Sequence, residues 1–276
     1  MAIDHNPQAE QMGDESMERN LAFQAQAIWP QEQALFDRYG LSGTCDVLDL
    51  GCGTGEITRR LAQRYPDARI TGIDILDGNL VIARRESGAF GERIRYESGD
   101  AFALDFADAS FDLVVCRHMS QAVPDFARVL DEIDRVLRPG GWLHLLSEDY
   151  AGLRMPRGAR DPDAFWVGTV LPFLESQGCD GRIGRHSPTL MAEHGYVDIA
   201  VDYVIVDTLR VPRDVFGGIL TAWRDGYVAP LAAASGRDPA EVRADFDAMI
   251  ADIATPPRYA AWHVPVISGR RGRQGA

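Results

Sequence analysis

Apolar residues in this chain fall into short, nearly unbroken runs, separated by longer stretches where they recur every three or four positions. The runs at 47–50, 111–117 and 142–147, with the shorter mixed stretches at 68–73 and 94–97, predict five strands. The fourth, Phe111-Asp112-Leu113-Val114-Val115-Cys116-Arg117, is apolar enough to be covered on both faces. Helices are predicted between the strands. One covers 56–64, with Ile57, Leu61 and Ala62 on one face. A second runs through Leu80, Val81, Ile82 and Ala83, with Asp77 as its cap and Gly88 as its stop. The third carries Phe126, Val129, Leu130, Ile133, Val136 and Leu137 at i, i+3, i+4, i+7 spacing, and Arg138-Pro139-Gly140-Gly141 ends it. Strands alternating with helices predict an α/β fold.

The flanks read differently. Residues 1–15 are polar and acidic, with Pro7 and Gly13, and predict an unstructured tail. Helices are expected over 18–28, stopping before Trp29-Pro30, and over 31–39, stopping at Gly40. Beyond Tyr150, a helix over 161–177 carries an aromatic stripe that includes Phe165, Trp166 and Phe173. Ser187 caps a helix through Leu190, Met191 and His194 that ends at Gly195. A sixth strand follows over 197–209, alternating through Ile199, Val201, Tyr203 and Ile205. Helices over 213–228 and 238–253 precede a seventh strand at 259–268, where Pro265 predicts an edge or a bulge. No internal repeat stands out.

The most informative stretch is Val47-Leu48-Asp49-Leu50-Gly51-Cys52-Gly53-Thr54-Gly55-Glu56-Ile57. A strand ends in an acidic residue, turns through glycines at alternate positions, and opens a helix. Such a turn lets backbone lie against a ligand, with donor N–H groups at the helix start. A dinucleotide fingerprint would need glycine where Glu56 stands. Asp74, at the tip of the second strand and about 20 residues after the loop, is where α/β folds hold ribose hydroxyls.

The acidic-x-G-x-G-x-G loop resembles motif I of the class I S-adenosylmethionine-dependent methyltransferases. The stretch "RVLRPGGWLHL" is similar to the block that follows the fourth strand in that class. The resemblance covers residues 46–149. It implies a doubly wound, mainly parallel seven-stranded sheet in the order 3-2-1-4-5-7-6, with the last strand antiparallel. Residues 1–40 would then be a tail and lid helices, and 41–276 the methyltransferase domain, with cap insertions at about 151–184 and 212–257. The cofactor would be S-adenosyl-L-methionine, leaving as S-adenosyl-L-homocysteine. Its contacts are expected from Asp49, Gly51, Cys52, Gly53, Gly55, Asp74 and Ile75, then from Asp100, Ala101, Phe102, Cys116 and Arg117. In this family Asp100 would meet the adenine amino group, with Phe102 as an apolar wall.

Methyl transfer from a sulfonium is an in-line displacement that needs alignment and a dry cavity. A base is needed only when the acceptor arrives protonated. His118, just after the fourth strand, is the candidate base or substrate-orienting group, with Asp149 and Tyr150 as alternatives and Glu148 beside them. His186 and His263 read as structural. The expected activity is methyl transfer to oxygen or nitrogen of a small metabolite. A protein or RNA methyltransferase and a non-catalytic S-adenosylmethionine-binding protein remain alternatives, and the oligomeric state is not readable.

Composition narrows these classes. With 276 residues, 46% hydrophobic and 25% charged, the chain can bury a sizeable core. A net charge of −13 disfavours nucleic acid as partner. The one basic cluster, Arg270, Arg271 and Arg273, sits beside glycines that suggest fraying. Arg117-His118-Met119-Ser120 stands where DNA amino-methyltransferases carry an N-P-P-Y-type tetrapeptide. No apolar run is long enough to cross a membrane, and the start of the chain lacks a basic-then-apolar signal, so the cytoplasm is the expected location. Cys45, Cys52, Cys116 and Cys179 form no C-x-x-C pair, and no metal site is expected.

Overall fold

The computed structural model describes residues 5–156, 158 and 160–272. Five strands form the parallel part of the sheet: β1 (Asp46–Leu50), β2 (Arg69–Asp74), β3 (Ile94–Ser98), β4 (Phe111–Arg117) and β5 (Leu137–Leu146). Helices α3 (Glu56–Arg64), α4 (Asp77–Glu86) and α5 (Phe126–Val136) connect them. Alternation within each strand divides the core in two. Leu48, Leu50, Val114, Cys116, Leu143 and Leu145 pack with α5 on one face. Val47, Ile70, Leu113 and Val115 pack with α3 and α4 on the other.

The sheet has eight strands, which corrects the expected seven. Its order is β3-β2-β1-β4-β5-β8-β6, and β7 pairs with β8. The addition is β6 (Leu153–Arg154), a two-residue strand on the start of β8 (Ala261–Arg271). β8 runs antiparallel to β5, β6 and β7 (Tyr196–Asp207). Pro265 is therefore on an interior strand rather than at an edge. Its place falls between Trp262, the last partner of β6, and Val266, the first partner of β5, so a missing N–H is tolerated there. Arg270 and Arg271 do not fray: they end β8, paired with Asp198 and Asp134. Arg273 lies outside the described residues.

The helical flanks depart most from the sequence reading. Of the segment expected to be unstructured, residues 1–4 lie outside the described residues. From His5 onward the chain is ordered, with α1 (Ala9–Met12) and then α2 (Glu15–Glu32). Gln8 is buried, and its Oε1 accepts a hydrogen bond from the Tyr227 hydroxyl at 2.9 Å. Trp29-Pro30 does not stop α2, which runs on to Glu32 before a 3-10 segment, Gln33–Tyr39. Burial of Ile28, Trp29 and Glu32 holds the last turn in place.

The helix expected over 161–177 is present as α6 (Pro162–Phe165), a π-helical turn (Trp166–Val170) and α7 (Leu171–Ser176) in unbroken succession. In α8 (Ile183–Glu193), Ser187 is not the cap. It lies buried inside the helix, where its hydroxyl donates to the Ile183 carbonyl. Asp77 likewise opens α4 as its first residue, after Leu76 at the cap position. The long helices α9 (Arg213–Ser235) and α10 (Pro239–Ala254) pack with α2, β7 and β8 around a second core that includes Met17, Phe216, Phe246 and Trp262.

Candidate active site

Parallel pairing places the tips of β1 and β2 side by side, with Asp49 opposite Gly72 and Leu50 opposite Ile73. The chain then turns, and the N–H groups of Gly51 and Cys52 both donate to the Ile73 carbonyl at 2.9 Å. The Gly53 N–H donates to Asp74 Oδ2 at 2.8 Å, and the Leu76 N–H to Oδ1 at 2.9 Å. Asp74 is thus fixed by backbone donors, while burial raises its pKa. Gly53 has φ +53°, and a Cβ there would meet Leu21 Cδ1 on α2 at 2.7 Å. The requirement for glycine at 53 comes from that helix as well as from the turn.

A cavity opens at the tips of β1, β2 and β4, with about 150 Å³ for the centres of water molecules. Gly51, Gly53, Asp74, Ile75, Ala101, Arg117, His118 and Tyr150 all line it. The other sequence candidates sit outside its lining. Asp49 is buried behind the loop, accepting from the Thr58 hydroxyl at 2.6 Å, and burial pushes its pKa up to about 6. Cys52 and Cys116 are buried thiols, which burial makes harder to ionise. Gly55 caps α3 in the left-handed region.

Asp100 accepts from the Phe102 N–H at 3.0 Å and lies 3.7 Å from His5 Nδ1, while the His5 ring stacks on Phe102 at 4.3 Å. Asp149 faces away, bound bidentately by Arg185 at 2.7 and 2.9 Å. His186 is exposed and pairs with Asp180, and His263 lies within β8.

His118 has φ +54°, an uncommon backbone state for a residue with a side chain. Its N–H donates to the Leu146 carbonyl, and its own carbonyl accepts from Gln121 Nε2, which hold the residue there. The side chain is buried, with Nδ1 2.6 Å from Glu148 Oε1 and Nε2 without a partner. Glu148 comes from the end of β5, which pairs with β4, and is itself 1% exposed. A carboxylate on Nδ1 selects the tautomer whose Nε2 is an acceptor.

Arg117 belongs to a second buried network. Its Nε donates to Glu32 Oε1 at 2.8 Å, His144 Nε2 lies 3.0 Å from the same oxygen, and His144 Nδ1 lies 2.6 Å from the Tyr39 hydroxyl. Burial works to raise the Glu32 pKa, but Arg117 and His144 outweigh it and hold the carboxyl at about 2.

Sequence reasoning missed Glu32 and His144 in this network, and Asn20 and Gln24 on the cavity wall. The last two leave Oδ1 and Oε1 buried without partners. The one available signal was the polar residues Ser16, Asn20, Gln24 and Glu32 among the side chains that this helix buries. The far wall is apolar and aromatic, with Trp166, Phe173, Trp223, Tyr227 and Phe246.

The description of a methyltransferase domain matches residues 48–145. The chain is 43% identical over 100 residues to the demethylmenaquinone methyltransferase of Deinococcus radiodurans, covering 36% of this chain and 42% of that one. It is 41% identical over 130 residues to the ubiquinone/menaquinone biosynthesis C-methyltransferase of Paracoccus denitrificans, covering 46% and 51%. The chain therefore spans about half the length of these relatives. Among solved structures, it is similar to the geranyl diphosphate C-methyltransferase of Streptomyces coelicolor A3(2), with a TM-score of 0.55 and 18% identity over 88% of this chain and 75% of that one. That likeness concerns the fold.

Proposed function

We propose, on the premise that residues 48–145 belong to the class I S-adenosylmethionine-dependent methyltransferases, that this chain transfers a methyl group from S-adenosylmethionine to a small ring-bearing metabolite. The observation that carries this reading is a single cavity joining the Asp74 loop to the unpartnered Nε2 of His118. Residues 41–276 are then the methyltransferase domain, 1–40 its tail and lid helices, and the insertions at about 151–184 and 212–257 its cap. Without the two-residue β6, the sheet reads as the 3-2-1-4-5-7-6 framework, with β7 and β8 as sixth and seventh strands.

The residues present fit the cofactor. Asp74 offers carboxylate lone pairs to vicinal hydroxyls. The methionyl end is a zwitterion, and the wall supplies both signs of partner. The orphaned oxygens of Asn20 and Gln24 suit an ammonium, and the unpartnered Nη2 of Arg117 suits a carboxylate. Gly51, Gly53, Ile75 and Ala101 complete this side, while Asp49, Cys52, Gly55 and Cys116 act from behind it. Asp100 and Phe102 would take part once His5 leaves their surface.

When bound, S-adenosylmethionine supplies an activated methyl group on its sulfonium. The chain's own task is to align the acceptor, exclude water and manage a proton. His118 Nε2 takes the proton of an acceptor hydroxyl, and Glu148 stabilises the resulting imidazolium through Nδ1. Loss of that proton makes the oxygen nucleophilic and enriches adjacent ring carbons, so oxygen or carbon can receive the methyl group. Nitrogen acceptors arriving neutral would need only alignment. The relatives' names, with demethylmenaquinone and ubiquinone/menaquinone biosynthesis, support a ring-bearing acceptor.

The aromatic far wall supports it independently. Four unpaired buried cysteines suit a reducing cytoplasm, where we place the protein, and among the described residues no helix is long and apolar enough to cross a membrane. The test is incubation with methyl-labelled S-adenosylmethionine and a panel of hydroxylated aromatic acceptors. Label should enter at least one acceptor, and lose most of that rate in His118→Ala. Cofactor binding without transfer to any acceptor would favour the non-catalytic reading.

A further inference from the structure

The matched segment ends at residue 145, so the acceptor end of the cavity belongs to this chain's own cap. Its wall is made by Tyr150, Trp166, Val170, Trp223, Tyr227 and Phe246. Among the described residues lining the cavity, Arg117 is the sole arginine, and Glu32 balances its charge; the chain contains no lysine. Burying a phosphate or carboxylate at this end would leave it without a countercharge. The acceptor is therefore not anionic where it meets the cap.

One polar group stands out in this wall. Trp166 is 3% exposed, and its indole Nε1 is buried without a hydrogen-bond partner. Rings occupy its surroundings and offer no strong acceptor. Tyr150 stacks on it at 5.5 Å and 3°, and Trp223 and Phe246 meet it edge-on at 5.9 and 6.3 Å. Trp166 also opens the π-helical turn Trp166–Val170, a distortion that re-aims side chains and recurs at functional sites. Trp262 Nε1 is orphaned as well, but Trp262 does not line the cavity. An orphaned buried N–H is costly, and because Trp166 lines the cavity, an occupant whose oxygen reached its N–H would remove that cost.

We propose that Trp166 is a specificity-determining residue whose indole N–H donates to an oxygen of a non-anionic, ring-bearing acceptor, distinct from the group presented to His118. Preferred acceptors then carry two oxygen functions, one at each end. This rests on the functional reading above, because it assumes that the cap end holds the acceptor.

The test is a binding cycle on protein loaded with S-adenosylhomocysteine. The probes are 2-naphthols bearing either methoxy or ethyl at each open ring position, a pair that differs by oxygen against methylene. Binding is measured to the unmutated protein and to Trp166→Phe, which keeps a ring in place. At one or more positions the methoxy-over-ethyl preference should fall about 3- to 10-fold in Trp166→Phe, the range expected for one neutral hydrogen bond. A second readout needs no variant fold: the Trp166 indole N–H resonance should shift with that methoxy member and not with its ethyl partner.

A methoxy-over-ethyl preference unchanged within twofold at every position, with an unmoved indole resonance, would overturn the role of Trp166. Failure of every naphthol to bind would overturn the acceptor class itself. Binding with the expected preference but no methyl transfer would uphold Trp166 while counting against the catalytic reading.

Discussion

Replacing Glu32 by glutamine should destabilise the protein far more than an isosteric change normally does. The carboxylate is fully buried and answers the Arg117 guanidinium at 2.8 Å and the His144 ring at 3.0 Å. Glutamine keeps the shape and one acceptor but leaves the buried Arg117 guanidinium without a countercharge. Breaking a buried pair in this way costs about 3–5 kcal/mol. For a chain of this size that lowers the Tm by roughly 6–20 °C.

The pH dependence supplies an independent check. The Glu32 pKa is depressed from 4.5 to about 2, so its contribution is fully present above 4.5 and is lost as pH falls towards 2. Each pKa unit is worth about 1.4 kcal/mol, so roughly 2 kcal/mol is gone by pH 3. Urea unfolding of both proteins at pH 7, 5, 4 and 3 reads these quantities. The gap between them should be large at pH 7 and narrow on acidification. A gap below 1 kcal/mol at pH 7, or one that stays constant down to pH 3, would refute the account of this network.

Removing the His118 imidazole by His118→Ala should cut turnover about 10²–10⁴-fold, with S-adenosylhomocysteine affinity little changed; full turnover would remove its proposed role. Gly53→Val should abolish S-adenosylhomocysteine binding in calorimetry, because its Cβ strains the turn and strikes Leu21 on α2, and native affinity in a folded variant would contradict the loop geometry. Asp49 has a pKa raised by burial to about 6, so ionising it costs stability as pH rises from 3.8 through 6. Asp49→Asn keeps an acceptor for Thr58 and should gain up to about 3 kcal/mol relative to the unmutated protein between pH 3 and pH 7, as read by urea unfolding.

The parts of the fold legible in the sequence are those set by local pattern. Strands β1, β4 and β5 announce themselves as apolar runs, β2 and β3 as shorter mixed stretches, and the turn at Gly51–Gly55 by its alternate glycines. The flanks were not legible, because their order comes from distant partners. Residues 5–15 are polar and look unstructured alone, yet they are held by Tyr227, 219 residues away from Gln8, and by Phe102 under His5. Glu32 meets Arg117 and His144 across separations of 85 and 112 residues, which no periodicity reports.

Pro265 illustrates the opposite error. Proline in a strand predicts an edge, but a break between β5 and β6 lets an interior strand accept it. At the site, position after β4 singled out His118, which lines the cavity. Its partner Glu148 was visible only as one of three adjacent candidates, and Asp149 turned out to belong to Arg185.

The central claim is that the cavity beside Asp74 holds S-adenosylmethionine. Calorimetric titration of S-adenosylhomocysteine into the unmutated protein and into Asp74→Ala tests it most directly. One-to-one binding is predicted, with NAD showing no comparable heat, and the variant should lose about 1–3 kcal/mol of affinity with its lost charge-assisted acceptors. Absence of binding, or equal affinity in Asp74→Ala, would contradict the claim.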